Sequence, residues 1–400
     1  MNEEGKIRGL WISDAVAATG FARVAHSVIG SLPDKYDIHH LGINYFGDPH
    51  PYPYKIYPAS LGGDVYGLGR LEQMIRGLRP DFIFMLNDPW VISMYLQEIK
   101  KMKLEHIPPI VVYFPVDAKE HSPSFYQHFD IVSQICVYTQ FAKDVVLDTK
   151  SPNVSSEKIH IIPHGISQQV FYPMDMTFAR QALFPQDRME DFLNSFIVLN
   201  GNRNQPRKRI DITMWVFREF QRNKPDVKLY LHMGVQDLGY NIAELATRYG
   251  YDNKLILSST SNQIPSVSEE KLNIIYNACD VGINTSIGEG WGLVNWEHAA
   301  TGKLQIMPNH SALSEIWEER AILLPTIMDE MVERVNTVGR VVDIKAMVNN
   351  LNWAYEDWKN NGAQKIKELG QKGYDYTREK KFTWKNIAGK FDYVIQKEIK

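Results

Sequence analysis

The stretch Asp280–Gly302 restricts the fold of this chain more than any other part of the sequence. It opens with the alternating apolar residues of a buried strand, and Gly288, Gly290 and Gly292 follow closely. From Leu293 onward, apolar residues recur every three to four positions, which predicts a helix. A strand, a glycine-rich loop and a helix in this order predict one βα unit of a parallel sheet. Backbone amides of such a loop and of the first helical turn suit an anion.

Two carboxylates bracket the predicted loop, Glu289 within it and Glu297 on the helix. The spacing Glu-x7-Glu places Glu297 about two helical turns beyond Glu289, which is roughly 10 Å along the helix axis. That distance is too long for two carboxylates that share one proton. It suits the two ends of one elongated ligand, because carboxylates accept hydrogen bonds from vicinal hydroxyls. Hydroxyls on either side of a diphosphate describe a nucleotide sugar, and two solvated glutamates are the alternative interpretation.

The residues GEGWGLVNWEHAATGK resemble the signature of retaining GT-B glycosyltransferases, glycosyltransferase family 4 in particular. The resemblance implies an α/β fold with two Rossmann-like domains, each a doubly wound parallel sheet, that face a deep interdomain cleft. It also implies that Glu289 contacts the transferred sugar and that Glu297 holds the nucleotide ribose. Asn295, Trp296 and Lys303 depart from the family pattern, and we expect these departures to affect packing more than chemistry.

Chain length and periodicity predict two domains. The chain has 400 residues, more than one hydrophobic core usually serves, and apolar strands alternate with helical stretches in both halves. Prolines and a glycine in Ile161–Pro173 indicate a linker. We predict an acceptor-side domain over residues 1–171, completed by a C-terminal helix at about 382–400. The nucleotide-sugar donor domain then covers residues 172–381.

A basic loop at residues 200–209 lies between a predicted strand and a predicted helix of the second domain. Arginine offers a bidentate fork and lysine a point charge, so the loop suits a diphosphate, with a solvated basic turn as the alternative. In the resembling family, an arginine and a lysine of this loop neutralise the donor diphosphate. Lys208 matches that lysine, Arg203 is our choice for the arginine, and Arg209 is the reserve.

Two further positions follow from the resemblance. Gly20 corresponds to a family glycine that approaches the donor phosphate or the acceptor, and a tight turn is an equal alternative. Asp117 lies in a loop that resembles the one facing the donor sugar, and a solvated aspartate is the alternative. The candidate catalytic residues are Arg203, Lys208, Glu289 and Asp117, and the candidate donor-binding residues are Gly20, Arg209, Gly290, Trp291, Gly292, Leu293 and Glu297.

Composition limits the cofactors and the location. The two cysteines, Cys136 and Cys279, lie in apolar segments, and their spacing indicates no metal site. The chain has no Asp-x-Asp triplet, a common bridge from Mg²⁺ or Mn²⁺ to a diphosphate, so we expect neither a metal nor a cofactor beside the nucleotide sugar. No apolar run approaches the ~18 residues of a membrane span. We expect a soluble, cytoplasmic protein.

The predicted function is that of a retaining hexosyltransferase. It would move a sugar from a nucleoside-diphosphate sugar to a hydroxyl of a glycan, a lipid-linked glycan or another acceptor, without a metal ion. Three alternatives stay open at this point. They are the same chemistry on a nucleic acid or modified base, a non-catalytic sugar-binding protein with this fold, and a nucleotide-sugar epimerase.

Other features bear on the acceptor. A formal net charge of -3 gives no overall attraction to nucleic acid or anionic membranes. Nucleic acid nevertheless stays an alternative acceptor because of the basic runs 207–209 and 378–381. A candidate weak contact with lipid headgroups is formed by Lys100, Lys101 and Lys103. The segment Asn44–Leu68, rich in proline, glycine and tyrosine, predicts no regular element. Its aromatic rings are either platforms for an acceptor sugar or parts of a surface loop.

Overall fold

The computed structural model describes residues 5–263 and 265–399, which divide into two compact units. Unit 1 contains the residues up to Val116, Glu120–Gly165 and the residues from Lys380 onward. Unit 2 contains Asp117–Lys119 and Ile166–Glu379. Residues 1–4 and 400, which the predicted first domain included, lie outside the described residues.

The elements are numbered along the chain. The strands are β1 Ile7–Asp14, β2 Tyr36–Ile43, β3 Lys55–Pro58, β4 Phe82–Leu86, β5 Ile110–Phe114, β6 Gln134–Val137, β7 Ile159–Ile161, β8 Phe196–Asn200, β9 Val227–Leu231, β10 Leu255–Leu257, β11 Val281–Ile283, β12 Leu304–Pro308, β13 Ile322–Leu324, β14 Thr326–Val332 and β15 Thr337–Val342. The helices are α1 Gly20–Ile29, α2 Leu68–Leu78, α3 Pro89–Lys101, α4 Gln140–Asp148, α5 Met176–Leu183, α6 Met189–Leu193, α7 Ile210–Phe220, α8 Ile242–Tyr249, α9 Glu269–Ala278, α10 Leu293–Ala299, α11 Ser311–Trp317, α12 Ile344–Asn361, α13 Gln364–Thr377 and α14 Trp384–Glu398.

Unit 1 is built on a seven-stranded parallel sheet with the order β3-β2-β1-β4-β5-β6-β7. Its central strands β4 and β5 are apolar throughout and buried at every residue. A strand can be apolar on both sides only when both faces of its sheet are covered. Helices α1 and α4 each begin at a threonine cap: the Thr19 hydroxyl accepts a hydrogen bond from the Ala22 amide, and the Thr139 hydroxyl accepts one from the Ala142 amide.

Unit 2 repeats this architecture with a six-stranded parallel sheet in the order β10-β9-β8-β11-β12-β13. In both sheets the strand order reverses once, between β1 and β4 in unit 1 and between β8 and β11 in unit 2. Ligands of doubly wound sheets bind beyond the carboxyl ends of the strands at such a reversal. The predicted pair of doubly wound parallel sheets is confirmed.

Two elements differ from the expected order. The segment Asn44–Leu68 contains a short strand, β3, which pairs with β2 at the edge of the first sheet. Its four residues, the last of which is Pro58, are too few to show a period. The antiparallel hairpin of β14 and β15 in unit 2 was not expected either. None of the helices in the described part of the chain combines the length and apolarity needed to cross a membrane.

Candidate functional site

The candidate site of unit 2 lies where its sheet reverses strand order. Strands β8 and β11 are parallel neighbours, with Val281 opposite Val198 and Gly282 opposite Leu199. The loop that follows β8, residues 201–209, and the loop that follows β11, residues 284–292, therefore leave the same edge of the sheet. Two segments about 80 residues apart in sequence meet there.

A buried ion pair joins these two loops. Lys208 Nζ lies 2.6 Å from Glu289 Oε1, and the two residues are only 7% and 4% exposed. Glu289 Oε1 also accepts hydrogen bonds from Asn284 Nδ2 at 3.0 Å and Ser286 Oγ at 2.9 Å. Buried charges occur in proteins when they are paired and hydrogen-bonded, as this carboxylate is. The side chain of Glu289 is held in one orientation as a result.

The backbone of Glu289 is held by the first turn of α11. Its amide donates to Ser311 Oγ at 3.2 Å, and its carbonyl accepts from the Ala312 amide at 3.3 Å. His310 supports this turn, since its ring nitrogens lie 3.0 Å from Ser311 Oγ and 2.9 Å from the Ser286 carbonyl. Ser311 has a φ of 50°, a left-handed conformation that costs energy in a residue other than glycine.

The charge states of the pair follow from burial and from neighbouring cations. Burial raises the pKa of Glu289, but the positive charges of Lys208 and Arg207 outweigh that effect and lower the pKa to about 2. Burial and the charge of Arg207 lower the pKa of Lys208 to about 8, and the attraction of Glu289 offsets part of that decrease. At neutral pH the pair is therefore a carboxylate and an ammonium group.

Arg207 completes the site and was not among the candidates from the sequence. Its Nη1 donates to the Gly288 carbonyl at 2.9 Å and lies 3.2 Å from Asp117 Oδ2. The Arg207 carbonyl in turn accepts from the Ile287 amide at 2.9 Å. Arg207 is therefore linked directly to the loop that carries Glu289. Only its place in the run Arg207–Arg209, next to Lys208, marked it in the sequence.

The two arginines chosen from the sequence are placed differently. The guanidinium of Arg203 forms a bidentate pair with Asp237, at 2.6 and 3.1 Å. Arg209 pairs with Asp211 at 2.9 Å and with Glu330 of β14. Each arginine is thus engaged by carboxylates other than Glu289.

Five of the donor-binding candidates, Gly290, Trp291, Gly292, Leu293 and Glu297, lie on the βα unit of β11 and α10. Gly290, Trp291 and Gly292 form the turn before Leu293, the first residue of α10. Gly292 has a φ of 83°, which explains why a glycine ends the turn. Glu297 on α10 is 3% exposed, and its Oε2 accepts a hydrogen bond from the Tyr276 hydroxyl at 3.0 Å.

The amide side chains around the site were also missed by sequence reasoning. Asn284 Nδ2 donates to Asn295 Oδ1 at 2.8 Å, and Asn295 Nδ2 donates to Gln305 Oε1 at 3.0 Å. Asn295 was expected to affect packing, and the structure shows it in a buried hydrogen-bond network that leads to Glu289 through Asn284. No local pattern marks such residues, because their partners come from other elements.

Several predicted contacts lie elsewhere. Gly20 is the first residue of α1 in unit 1. Lys100 and Lys101 are paired with Asp130 and Glu98, at 2.6 and 2.5 Å, so the proposed lipid contact gains no support. In the second basic run, Arg378 donates to three backbone carbonyls, and the nucleic-acid contact likewise gains none. The described residues contain no group of three or more His, Cys, Asp or Glu side chains placed to hold a metal ion.

Comparisons with known proteins identify the fold. Neither the protein-family models nor the curated proteins gave a match. Among solved structures, the chain is similar to a sucrose-phosphate synthase from Thermosynechococcus elongatus, with a TM-score of 0.71 and 15% identity over 98% of both chains. It is also similar to HepE of Anabaena, solved in complex with UDP, with a TM-score of 0.69 and 16% identity over 98% of this chain and 100% of that one. A third similar structure is an α,α-trehalose 6-phosphate synthase from Burkholderia multivorans, with a TM-score of 0.67 and 12% identity over 98% of both chains. The chain has the GT-B fold.

Proposed function

We propose that this chain is a retaining glycosyltransferase that moves a hexose-type sugar from a nucleoside-diphosphate sugar to a hydroxyl group of an acceptor. The observation that carries the proposal is the buried Lys208–Glu289 pair at the carboxyl edge of the second sheet. Burying a lysine and a glutamate beside a further cation costs free energy, because both charges lose their hydration. Stability alone therefore does not explain the pair. Their position at the strand-order reversal favours a ligand-binding role.

The proposed roles follow from the charge of each group. The bond that breaks leaves negative charge on the diphosphate, so fixed positive groups beside it stabilise the transition state. Lys208 supplies one such charge. We favour Arg207 over Arg203 as the second, because Arg207 is hydrogen-bonded to the loop that contains Glu289, whereas Arg203 is paired with Asp237. The backbone amides of Gly290–Leu293 would assist them.

The two glutamates would position the donor. Glu289 accepts hydrogen bonds from sugar hydroxyls, and its fixed orientation suits that task. Glu297 accepts from the ribose hydroxyls, while the Tyr276 hydroxyl keeps its carboxylate in place. In this proposal the cations of the chain neutralise the diphosphate without a metal ion. The acceptor hydroxyl attacks the anomeric carbon from the face that the diphosphate leaves, the bond from that carbon to the diphosphate oxygen breaks, and the hydroxyl proton passes to an oxygen of the departing phosphate. A glycan or a lipid-linked glycan is the proposed acceptor class, and the proposed location is the cytoplasm.

The proposal is tested by calorimetric titration of the full chain with UDP, GDP, ADP and CMP, followed by incubation with the matching nucleotide sugars. We expect binding of one diphosphate and slow release of free sugar from its nucleotide sugar. Glu297→Ala should weaken that binding roughly 10-fold or more, since a hydrogen bond to a charged group is worth about 1.5–3 kcal/mol. Glu244→Gln, which breaks an exposed Arg248–Glu244 pair in the same unit, serves as the control.

The products separate the alternatives. Proton NMR of the released sugar shows whether the anomeric configuration is retained. Conversion of a UDP-sugar to its 2-epimer would instead identify an epimerase, and binding without any turnover would identify a sugar-binding protein. If no nucleotide binds to the intact chain, the proposed function is wrong.

A further inference from the structure

The basic loop that would meet a diphosphate is already neutralised by carboxylates. Within the described residues, its four cations pair with five acidic side chains. The cations are Arg203, Arg207, Lys208 and Arg209, and the carboxylates are Asp237, Asp117, Glu289, Asp211 and Glu330. A loop in this state offers no net positive charge to a diphosphate, so at least one carboxylate has to give way.

Lys208 and Arg203 are each paired firmly with one carboxylate. Glu289 is buried and has two hydrogen-bond donors besides Lys208. Asp237 holds Arg203 in a bidentate pair, and its backbone amide donates to the Asn262 carbonyl at 3.0 Å. Bidentate and buried charged pairs are the strongest of their kind, and separating one leaves an uncompensated charge.

Arg209 is held by two carboxylates at once. Asp211 lies two residues further along the chain and accepts from both Nε and Nη2 of the guanidinium. Glu330 of β14 contacts Nη1. A ligand that displaced one of these carboxylates would still leave Arg209 neutralised by the other.

Asp117 is the carboxylate held most weakly. In its pair with Arg207 the charged atoms lie 3.2 Å apart, and the two side chains are 25% and 33% exposed. The backbone beside it is fixed independently, because Lys119 exchanges two 2.9 Å hydrogen bonds with Val338 of β15. The Asp117 carbonyl also lies against Gly288, where a Cβ would come within 2.2 Å of it. The carboxylate can therefore rotate away from Arg207 without any movement of the main chain.

Arg207 remains in position when Asp117 leaves. Its Nη1 is oriented by the Gly288 carbonyl, and its carbonyl by the Ile287 amide. A phosphate carries more charge than a carboxylate and accepts a guanidinium fork equally well, so it competes effectively for this cation. We propose that Asp117 is an exchangeable counter-ion of Arg207, which a phosphate group of the donor replaces on binding. This inference rests on the proposed function and assigns Asp117 a role in the same site.

The exchange makes a specific prediction about affinity. An ion pair at the protein surface, such as this partly exposed one, is worth up to about 1 kcal/mol, which corresponds to roughly a fivefold change in an equilibrium constant. Asp117→Asn removes the competing charge and keeps the shape of the side chain. We therefore expect it to bind inorganic pyrophosphate and the cognate nucleoside diphosphate roughly three to five times more tightly than the natural chain. Binding of the uncharged nucleoside should not change.

The experiment is calorimetric titration of the full chain with pyrophosphate, with UDP, GDP and ADP, and with their nucleosides. The variants are Asp117→Asn, Arg207→Gln and the combination of both, with Glu244→Gln as a control that removes one carboxylate from an exposed pair. We expect Asp117→Asn to tighten phosphate binding only where Arg207 is present. Thermal unfolding of each variant confirms that it is folded.

The outcomes separate the two proposals. If the natural chain binds a nucleoside diphosphate and Asp117→Asn binds it equally or less tightly, the exchange is wrong and the proposed function stands. A gain that persists in the Arg207→Gln background also overturns the exchange, since the effect would not pass through Arg207. If no variant binds any diphosphate, the proposed function fails and the exchange fails with it.

Discussion

At the scale of single residues, changes at Lys208 and Glu289 have large energetic consequences, because both side chains are charged and almost completely buried. Neither side chain can be changed alone without leaving the other as an isolated charge. Breaking a buried pair in this way typically costs about 3–5 kcal/mol, whereas exposed pairs contribute about 1 kcal/mol or less. The same contact therefore links stability to the proposed chemistry.

Glu289→Gln is predicted to lower the free energy of unfolding of unit 2 by about 3 kcal/mol or more, because Lys208 then keeps a buried charge without its counter-ion. Denaturant unfolding measures the change. Glu244→Gln, in the exposed pair with Arg248, should change it by less than about 1 kcal/mol. Equal effects of the two substitutions would show that the Lys208–Glu289 pair is not buried in solution.

The affinity for a nucleoside diphosphate is predicted to fall as the pH rises through about 8. Burial and Arg207 lower the pKa of Lys208 to about 8, so the free protein loses this positive charge above that pH. Loss of one cation next to a diphosphate weakens binding, and the sign is therefore a decrease toward alkaline pH. Titration calorimetry between pH 7 and pH 9 tests this, with the uncharged nucleoside as the control. A constant affinity over that range would contradict the role of Lys208.

At the scale of elements, the loop between β11 and α10 is shaped by contacts from several other segments. Its backbone forms hydrogen bonds with Arg207, Ser311 and Ala312. The Arg340 amide also donates to the Ile287 carbonyl at 2.9 Å. Helix α10 has seven residues and contains Glu297, whereas Glu289 lies in the loop. Close packing also restricts which residues fit in this loop, as at Gly288.

Gly288→Ala is predicted to destabilise unit 2 by about 1–3 kcal/mol, the usual cost of adding a methyl group where no space exists. A Cβ at Gly288 would lie 2.2 Å from the Asp117 carbonyl oxygen, which is a backbone atom and cannot rotate away. Thermal unfolding measures the loss. Gly77→Ala in helix α2, where no atom lies within 4 Å of the new Cβ, should instead be neutral or slightly stabilising. An unchanged melting temperature for Gly288→Ala would contradict the close approach.

At the scale of the whole molecule, each unit has its own hydrophobic core. The core of unit 1 forms between β1–β7 and their helices, and the core of unit 2 between β8–β13 and theirs. Unit 1 also includes α14 from the end of the chain, where Asp392 accepts a 2.6 Å hydrogen bond from the Tyr36 hydroxyl. Separate cores predict that the units can unfold in separate transitions.

Two matched substitutions test this independence. Phe391 on α14 is fully buried against Phe84 and Tyr113, with ring centroids 5.3 and 4.9 Å away, and Phe217 is fully buried in unit 2. Each change to alanine should cost about 3–5 kcal/mol. In scanning calorimetry, Phe391→Ala should lower the transition of unit 1, and Phe217→Ala that of unit 2. If both substitutions move all transitions together, the chain unfolds as one cooperative unit.

The sequence by itself determined the features that depend on neighbouring residues. Apolar periodicity in each half predicted the parallel sheets, and the strand, glycines and helix of Asp280–Gly302 predicted the βα unit. Lys208 and Glu289, two of the candidates from the sequence, are buried, and their functional roles stay predictions. The short strand β3 escaped prediction, because its four residues are too few to establish a period.

Only the tertiary structure decided which charges meet. Lys208 and Glu289 are 81 residues apart, and they pair because β8 and β11 are neighbours in the second sheet. Arg203 and Arg207 lie in the same basic loop, and nothing in the sequence distinguishes their partners. In the structure Arg203 pairs with Asp237, whereas Arg207 donates a hydrogen bond to the loop that contains Glu289. Local periodicity contains no information about strand order, and strand order places the counter-ions. The partner of each cation was therefore fixed by folding and could not be predicted from the residues around it.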